Sequence, residues 1–209
     1  MASLPKLTLP YDIFLLRHGE TEWNKCHRIQ GRKNSDLTER GRAQARQQER
    51  ILRRIRPGLG EHGLWASPLG RAQETARLAF AGEPFSTDAR LSEISCGEWE
   101  GTTHEERIAL HPGIIAGLQT EFDIYASGPG GENARQIAER LTAFLSELTG
   151  PAIIVSHKVA ITVLRALLTP DGLDCSLAPG QGTVLQISRG AAQLHREVPA
   201  AGVEPARLG

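Results

Sequence analysis

Several things are scarce in this 209-residue sequence. No apolar run approaches the roughly 18 residues that a membrane span needs. The stretch from Met1 to Pro10 carries Lys6 but no long apolar segment after it, so no secretory signal is expected. Cysteine is sparse, with Cys26, Cys96 and Cys175 far apart and odd in number. A disulfide framework is therefore not expected, and no Cys-x-x-Cys or Cys/His cluster has zinc spacing. A reducing, cytoplasmic setting, no metal and no cofactor are the expectation. Net charge is also missing, because 24 Lys and Arg offset 24 Asp and Glu. A broad nucleic-acid footprint would need a basic excess. Neither nucleic acid nor a membrane is an expected partner.

Among the 24 basic residues lysine is rare, and 20 are arginine. Arginine suits bidentate contact with phosphate or carboxylate, although a compositional bias would produce the same excess. A hydrophobic content of 40% with 23% charged residues fits a globular chain with one sizeable core. One domain over residues 1–209 is expected: a core at about 11–197, a lid insertion at about 97–132 and a disordered tail at about 198–209. Residues 1–10 read as a loose leader.

The informative stretch is Leu15-Leu16-Arg17-His18-Gly19-Glu20-Thr21. The apolar run Ile13 to Leu16 reads as a buried strand that ends in a cation, an imidazole and a glycine. Glycine permits a sharp turn and close approach of another group. Arg17 and His18 are thus expected at the end of a central strand, where open α/β sheets bind ligands. A guanidinium next to an imidazole favours the neutral, nucleophilic ring. The pair also attracts anions, so a histidine that attacks a phosphoryl group is the reading.

Further along, Ile153-Ile154-Val155-Ser156-His157 is a second strand ending in histidine, and Ser67-Pro68-Leu69-Gly70-Arg71 follows the short apolar stretch Leu64-Trp65-Ala66. Thr38 caps a helix to about Ile55, whose arginine-rich face reads as solvated surface. Helices are also expected over Leu69–Phe80, Glu132–Thr149 and Val159–Leu168. Strands at Gly63–Ala66 and Phe85–Thr87 and a hairpin about Arg189-Gly190 complete the pattern. Strands alternating with helices imply a mostly parallel sheet covered on both faces.

The ordered set of motifs resembles the histidine phosphatase superfamily, the phosphoglycerate mutase-like family. Its pieces are Arg17-His18-Gly19-Glu20-Thr21, Trp23-Asn24, Leu37-Thr38 with Gly41, Ser67-Pro68-Leu69 with Arg71 and Thr75, Glu93 with Trp99-Glu100-Gly101, Gly130-Gly131-Glu132, and Ser156-His157. The resemblance implies a three-layer α/β/α sandwich and a phosphomonoester hydrolase acting on a small phosphorylated metabolite. By the same resemblance His18 is the nucleophile that forms a phosphohistidine. Arg17, Arg71 and His157 hold the phosphoryl oxygens, and Glu93 gives the leaving oxygen a proton. Asn24, Gln30 and Gly31 match positions of further phosphate contacts, with loop bracing as the alternative for Asn24. Glu20 and Thr21 are expected to brace the loop.

Lys158 departs from the pattern, since the family usually has glycine there. Either the position is left-handed and lysine strains it, or it is helical, with the ammonium free to contact an anion. The family divides into phosphatases and mutases. The mutases carry a tyrosine three residues after the acid, where this chain has Cys96, and paired arginines in a longer insertion, where this chain has Arg107 with His104 and His111. Hydrolysis is the better reading. Mutase-type phosphoryl transfer and a non-catalytic phosphate-binding module on the same fold are the alternatives. The sequence leaves room for a homodimer and does not name the substrate.

Overall fold

The structure, a computed structural model, describes residues 4–197. The expected tail at 198–209 lies outside the described residues. In chain order the elements are β1 (Ile13–Arg17), α1 (Glu22–Lys25), α2 (Glu39–Ile55), β2 (Gly63–Ala66), α3 (Gly70–Ala79), β3 (Ser86–Thr87), α4 (His104–Leu110), α5 (Pro112–Ile115), α6 (Glu121–Ala126), α7 (Ala134–Ser146), β4 (Ala152–Ser156), α8 (Lys158–Leu168), β5 (Val184–Ser188) and β6 (Ala191–His195). They build one six-stranded sheet in the order β3-β2-β4-β1-β5-β6. The first four strands are parallel; β5 and β6 run antiparallel as a closing hairpin. Its turn residues, Arg189 and Gly190, both have positive φ, as a two-residue hairpin turn of the primed type requires.

Side chains alternate between the sheet faces, and both faces are buried. Phe14, Leu16, Ile153 and Val155 pack on one face against Ile51 and Leu52 of α2 and the alanines of α3. Ile13, Leu15, Ala152 and Ile154 pack on the other against α7 and α8. The result is the expected three-layer α/β/α sandwich. The chain leaving β1 therefore crosses to one face and the chain leaving β4 to the other. Adjacent parallel strands that diverge in this way open a crevice at their carboxyl ends.

The arginine face of α2 is solvated and ion-paired: Arg42 meets Glu74, Arg50 meets Glu197 and Arg53 meets Glu49. Three expectations change. The leader is not loose over its described part, because Leu7 N–H donates to the Leu167 carbonyl and Lys6 Nζ donates to the carbonyls of Ala166 and Thr169. Lysine here caps the C-terminus of α8, where free carbonyls and the helix dipole favour a cation. The second change is at α7, which starts at Ala134. Asn133 caps it, and Glu132 is released to pair with Arg140. The third is at residues 19–36, whose polar content with Gly31 and Asn34-Ser35-Asp36 implies a long loop, and which contain the short helix α1. Among the described residues no helix is long and apolar enough to cross a membrane.

Candidate active site

Strand register alone brings the two histidines together. Arg17 of β1 pairs with Ser156 of β4, so the next residues, His18 and His157, are neighbours at the carboxyl edge of the sheet. Their ring centroids lie 5.2 Å apart. Ser67, one residue beyond β2, meets His157 Nε2 at 2.7 Å. Three adjacent strand ends thus converge on one crevice.

The His18 ring is fixed by one contact. Its Nδ1 donates to the carbonyl of Gly19 at 2.7 Å. A carbonyl only accepts, so the proton of the neutral ring sits on Nδ1 and Nε2 keeps its lone pair. The ring is held neutral: burial first, then the Arg71 and Arg17 cations, push its pKa well below the ordinary histidine value. The sequence points to Arg17 for this effect, but burial is the larger cause. Gly19 turns the chain where a side chain would collide, since a Cβ would stand 2.3 Å from the Gly41 carbonyl oxygen. Its N–H is tied to Thr75 Oγ1, and the Arg17 carbonyl accepts from Gln48 Nε2.

Arg17 has no acceptor for its guanidinium among the described residues, and its Nε is buried without a partner. Arg71, in the first turn of α3, donates to the carbonyls of Lys33 and Gly31 at 2.6 and 2.8 Å. Burial brings its pKa down to about 10, so it stays a cation. Both arginines line a cleft of about 380 Å³ together with His18, Asn24, Gln30, Gly31, Glu93 and Lys158.

His157 stands differently from the expectation. It is fully enclosed beside His18 and does not line the cleft, with Nδ1 buried and unpartnered. Burial and Arg71 push its pKa well below the ordinary value.

Glu93 is buried and lies over the N-terminus of α8. Its Oε1 accepts from the N–H groups of Ile94 and Ala160, and its Oε2 from that of Val159. Arg140 fixes the backbone behind it by donating to the carbonyls of Arg90, Ser92 and Glu93 and to Glu132. Two pieces of the sequence motif therefore brace this loop. Glu132 also accepts from Ser95 N–H, and Glu100 accepts from Arg32 and Cys96 N–H.

Asn24 uses its Oδ1 as a cap, accepting from Thr21 N–H and Oγ1, so the bracing alternative describes its oxygen. Asn24 also lines the cleft. Gln30 and Gly31 lie on the cleft wall, with Gln30 Oε1 buried and unpartnered. Glu20 and Thr21 brace, as expected: Glu20 Oε1 accepts from Thr38 Oγ1, and Thr21 caps α1. Lys158 is helical, the first residue of α8, so no left-handed strain arises there. Its Nζ meets Glu121 at the start of α6. Cys96 is a small buried core residue.

Sequence reasoning did not find Ser67 as the partner of His157, nor Glu121 and Gln181 on the cleft wall. Ser67 was within reach as the residue following β2. Nothing local marks the other two, which arrive from distant segments.

A model of the histidine phosphatase superfamily (branch 1) matches residues 13–197. The chain belongs to this superfamily. Among its relatives is the glucosyl-3-phosphoglycerate phosphatase of Mycolicibacterium vanbaalenii, 34% identical over 170 residues, covering 75% of this chain and 73% of the relative. Another, from Enterobacter sp. (strain 638), carries the name "Probable phosphoglycerate mutase" and is 32% identical over 163 residues, with 73% of this chain and 72% of the relative covered. Among solved structures, a mycobacterial glucosyl-3-phosphoglycerate phosphatase in complex with VO3 superposes with a TM-score of 0.70 at 27% identity, covering 90% of this chain and 98% of that one. Histidine phosphatase membership thus rests on the whole sheet and not on the Arg-His-Gly triplet alone.

Proposed function

We propose that this histidine phosphatase hydrolyses a phosphomonoester of a small metabolite, without a metal, through a phosphohistidine on His18. The observation that carries the reading is the Nδ1–H to Gly19 carbonyl bond, which leaves the Nε2 lone pair on the wall of a cleft lined by the unpaired Arg17 guanidinium. In the first step Nε2 attacks phosphorus, the bond from phosphorus to the leaving oxygen breaks, and the Glu93 carboxyl supplies that oxygen with its proton. In the second, Glu93 takes a proton from water, the water oxygen attacks phosphorus, and the P–N bond breaks. Splitting the reaction lowers each barrier.

Arg17 and Arg71 supply the positive charge that the spreading negative charge of the transition state needs, in fork geometry. Ser67 Oγ meets His157 Nε2 at 2.7 Å, and the buried His157 ring stands against His18 and supports the position of the nucleophile. The segment α4–α6 serves as a lid. A relative's complex with VO3, an oxyanion with the shape of a transferring phosphoryl group, supports a phosphoryl site on this scaffold.

The test is to quench a short reaction with radiolabelled phosphomonoester in base. Label on the wild-type protein, none on His18→Ala, and p-nitrophenyl phosphate turnover that survives chelator are the expected results. An unlabelled wild type that still turns over rejects the phosphohistidine. Similarity to a relative named as a mutase favours a second reading, and incubation with 3-phosphoglycerate decides it: free phosphate marks the hydrolase and 2-phosphoglycerate the mutase.

A further inference from the structure

Five cations line the cleft, and the structure accounts for three within the protein. Arg28 pairs with Glu106, Lys158 with Glu121, and Arg71 rests on two backbone carbonyls. Arg17 is left for the phosphoryl group. The fifth is Arg107 of α4, which enters the cleft wall from the other side. It is 5% exposed, and its Nη1 donates to the Thr102 carbonyl at 3.0 Å. Its Nε is buried with no partner, and no carboxylate pairs with it among the described residues. The carboxylates nearest along its own helix are turned elsewhere. Glu106 is taken by Arg28 and by the Thr103 N–H, and Glu105 is exposed.

Burying a guanidinium without a counter-charge is costly, so such a group generally has an anion as its partner. One transferring phosphoryl group is already provided for by Arg17, Arg71 and His18 on the cleft wall. We propose that Arg107 is the specificity-determining residue of the cleft, and that it receives a second anionic group, a carboxylate or a second phosphate, carried on the leaving part of the substrate. The inference rests on the phosphomonoesterase reading above. The substrate is then a doubly anionic ester, anchored at one end by the strand-end cations and at the other by α4. Tyr125 lines the same cleft, and burial keeps its phenol protonated, so it offers that second group a further donor.

The test compares matched esters on the full chain. 3-Phosphoglycerate and glycerol 3-phosphate differ only in a carboxylate, and fructose 1,6-bisphosphate and fructose 6-phosphate only in a second phosphate. Wild-type kcat/KM is expected to favour the more anionic member of one pair by about tenfold or more, and the pair that shows it identifies the group. Arg107→Met is expected to remove most of that ratio through KM, and Arg107→Lys to keep part of it. A wild-type ratio below about threefold in both pairs, or a ratio that Arg107→Met leaves within about twofold, overturns the inference while hydrolysis itself still stands. Should Arg107→Met fail to fold, the wild-type ratio and the Lys variant decide by the same thresholds. If the wild type hydrolyses none of these esters and no p-nitrophenyl phosphate either, the phosphomonoesterase reading falls first and takes this inference with it.

Discussion

The two walls of the cleft are built in different ways. On one side, His18 lines the cleft with His157 and Ser67 buried beside it, all three at the ends of hydrogen-bonded parallel strands whose register fixes their spacing. On the other, α4, α5 and α6 have seven, four and six residues. They leave Ile108, Leu110 and Ile114 exposed, and side-chain contacts such as Lys158 with Glu121 and Arg28 with Glu106 tie them to the rest. A strand end cannot shift without breaking the ladder, so it suits groups that must hold a reacting phosphorus within tenths of an ångström. Helices held by side chains can tolerate substitution, so they suit the choice of leaving group. On the proposed reading, chemistry and selectivity are divided between the two walls.

The largest effect should come from the sheet side. Arg17→Gln keeps the shape and removes the charge, and is expected to lower kcat by about 10²–10³-fold in steady-state hydrolysis of p-nitrophenyl phosphate. A loss under about fivefold would take the chemistry away from that wall.

A pH series sharpens the contrast next. Both strand-end histidines have pKa values pushed down in the folded state by burial and cations. Below the ordinary value of about 6.5 the unfolded chain gains protons that the folded chain refuses, so folding stability falls as pH drops. The slope approaches about 1.4 kcal/mol per pH unit for each histidine until its folded pKa is reached, and the stability is fully present above about pH 7. Urea unfolding from pH 8 to pH 5 measures it, and His18→Ala should roughly halve the slope. A flat profile would mean that the histidines are solvated in the native state.

Backbone packing gives a smaller effect. A Cβ on Gly41 would stand 2.1 Å from the Glu20 carbonyl oxygen, backbone against backbone. Gly41→Ala should cost about 1–3 kcal/mol, seen as a fall in Tm of about 2–4 °C per kcal/mol, with kcat lowered as the His18 loop shifts. The smallest effect belongs to the other wall. Glu121→Gln breaks a part-exposed ion pair and should change stability by less than about 1 kcal/mol. A Tm shift as large as that of Gly41→Ala would show α6 to be held as rigidly as the strands.

Much of the sheet side was legible. The apolar runs before Arg17 and His157 alternate between faces and stop abruptly, which is what a buried parallel strand does. Thr38, Asn133 and Thr103, which cap α2, α7 and α4, show how local the helix starts are, although the α7 boundary moved two residues because Asn133 is the better cap. Lys158 was ambiguous on paper, and its position as the first helical residue removed the strain. The anchoring of the leader is not legible locally, because the partners of Lys6, the last carbonyls of α8, lie about 160 residues away. Glu93 could be named from its motif, but not its seat on the α8 amides. Arg107 looked like an ordinary lid cation until its burial without a counter-charge was visible.

By itself the sequence determined the elements, the sheet's apolar faces and the identities of the groups at the strand ends, because these follow from periodicity and from residues close along the chain. Only the tertiary structure decided which tautomer His18 holds, that His157 is enclosed beside it, and which cations are already paired. Those are properties of distance and dielectric between segments far apart in sequence, and no local pattern of residues encodes them.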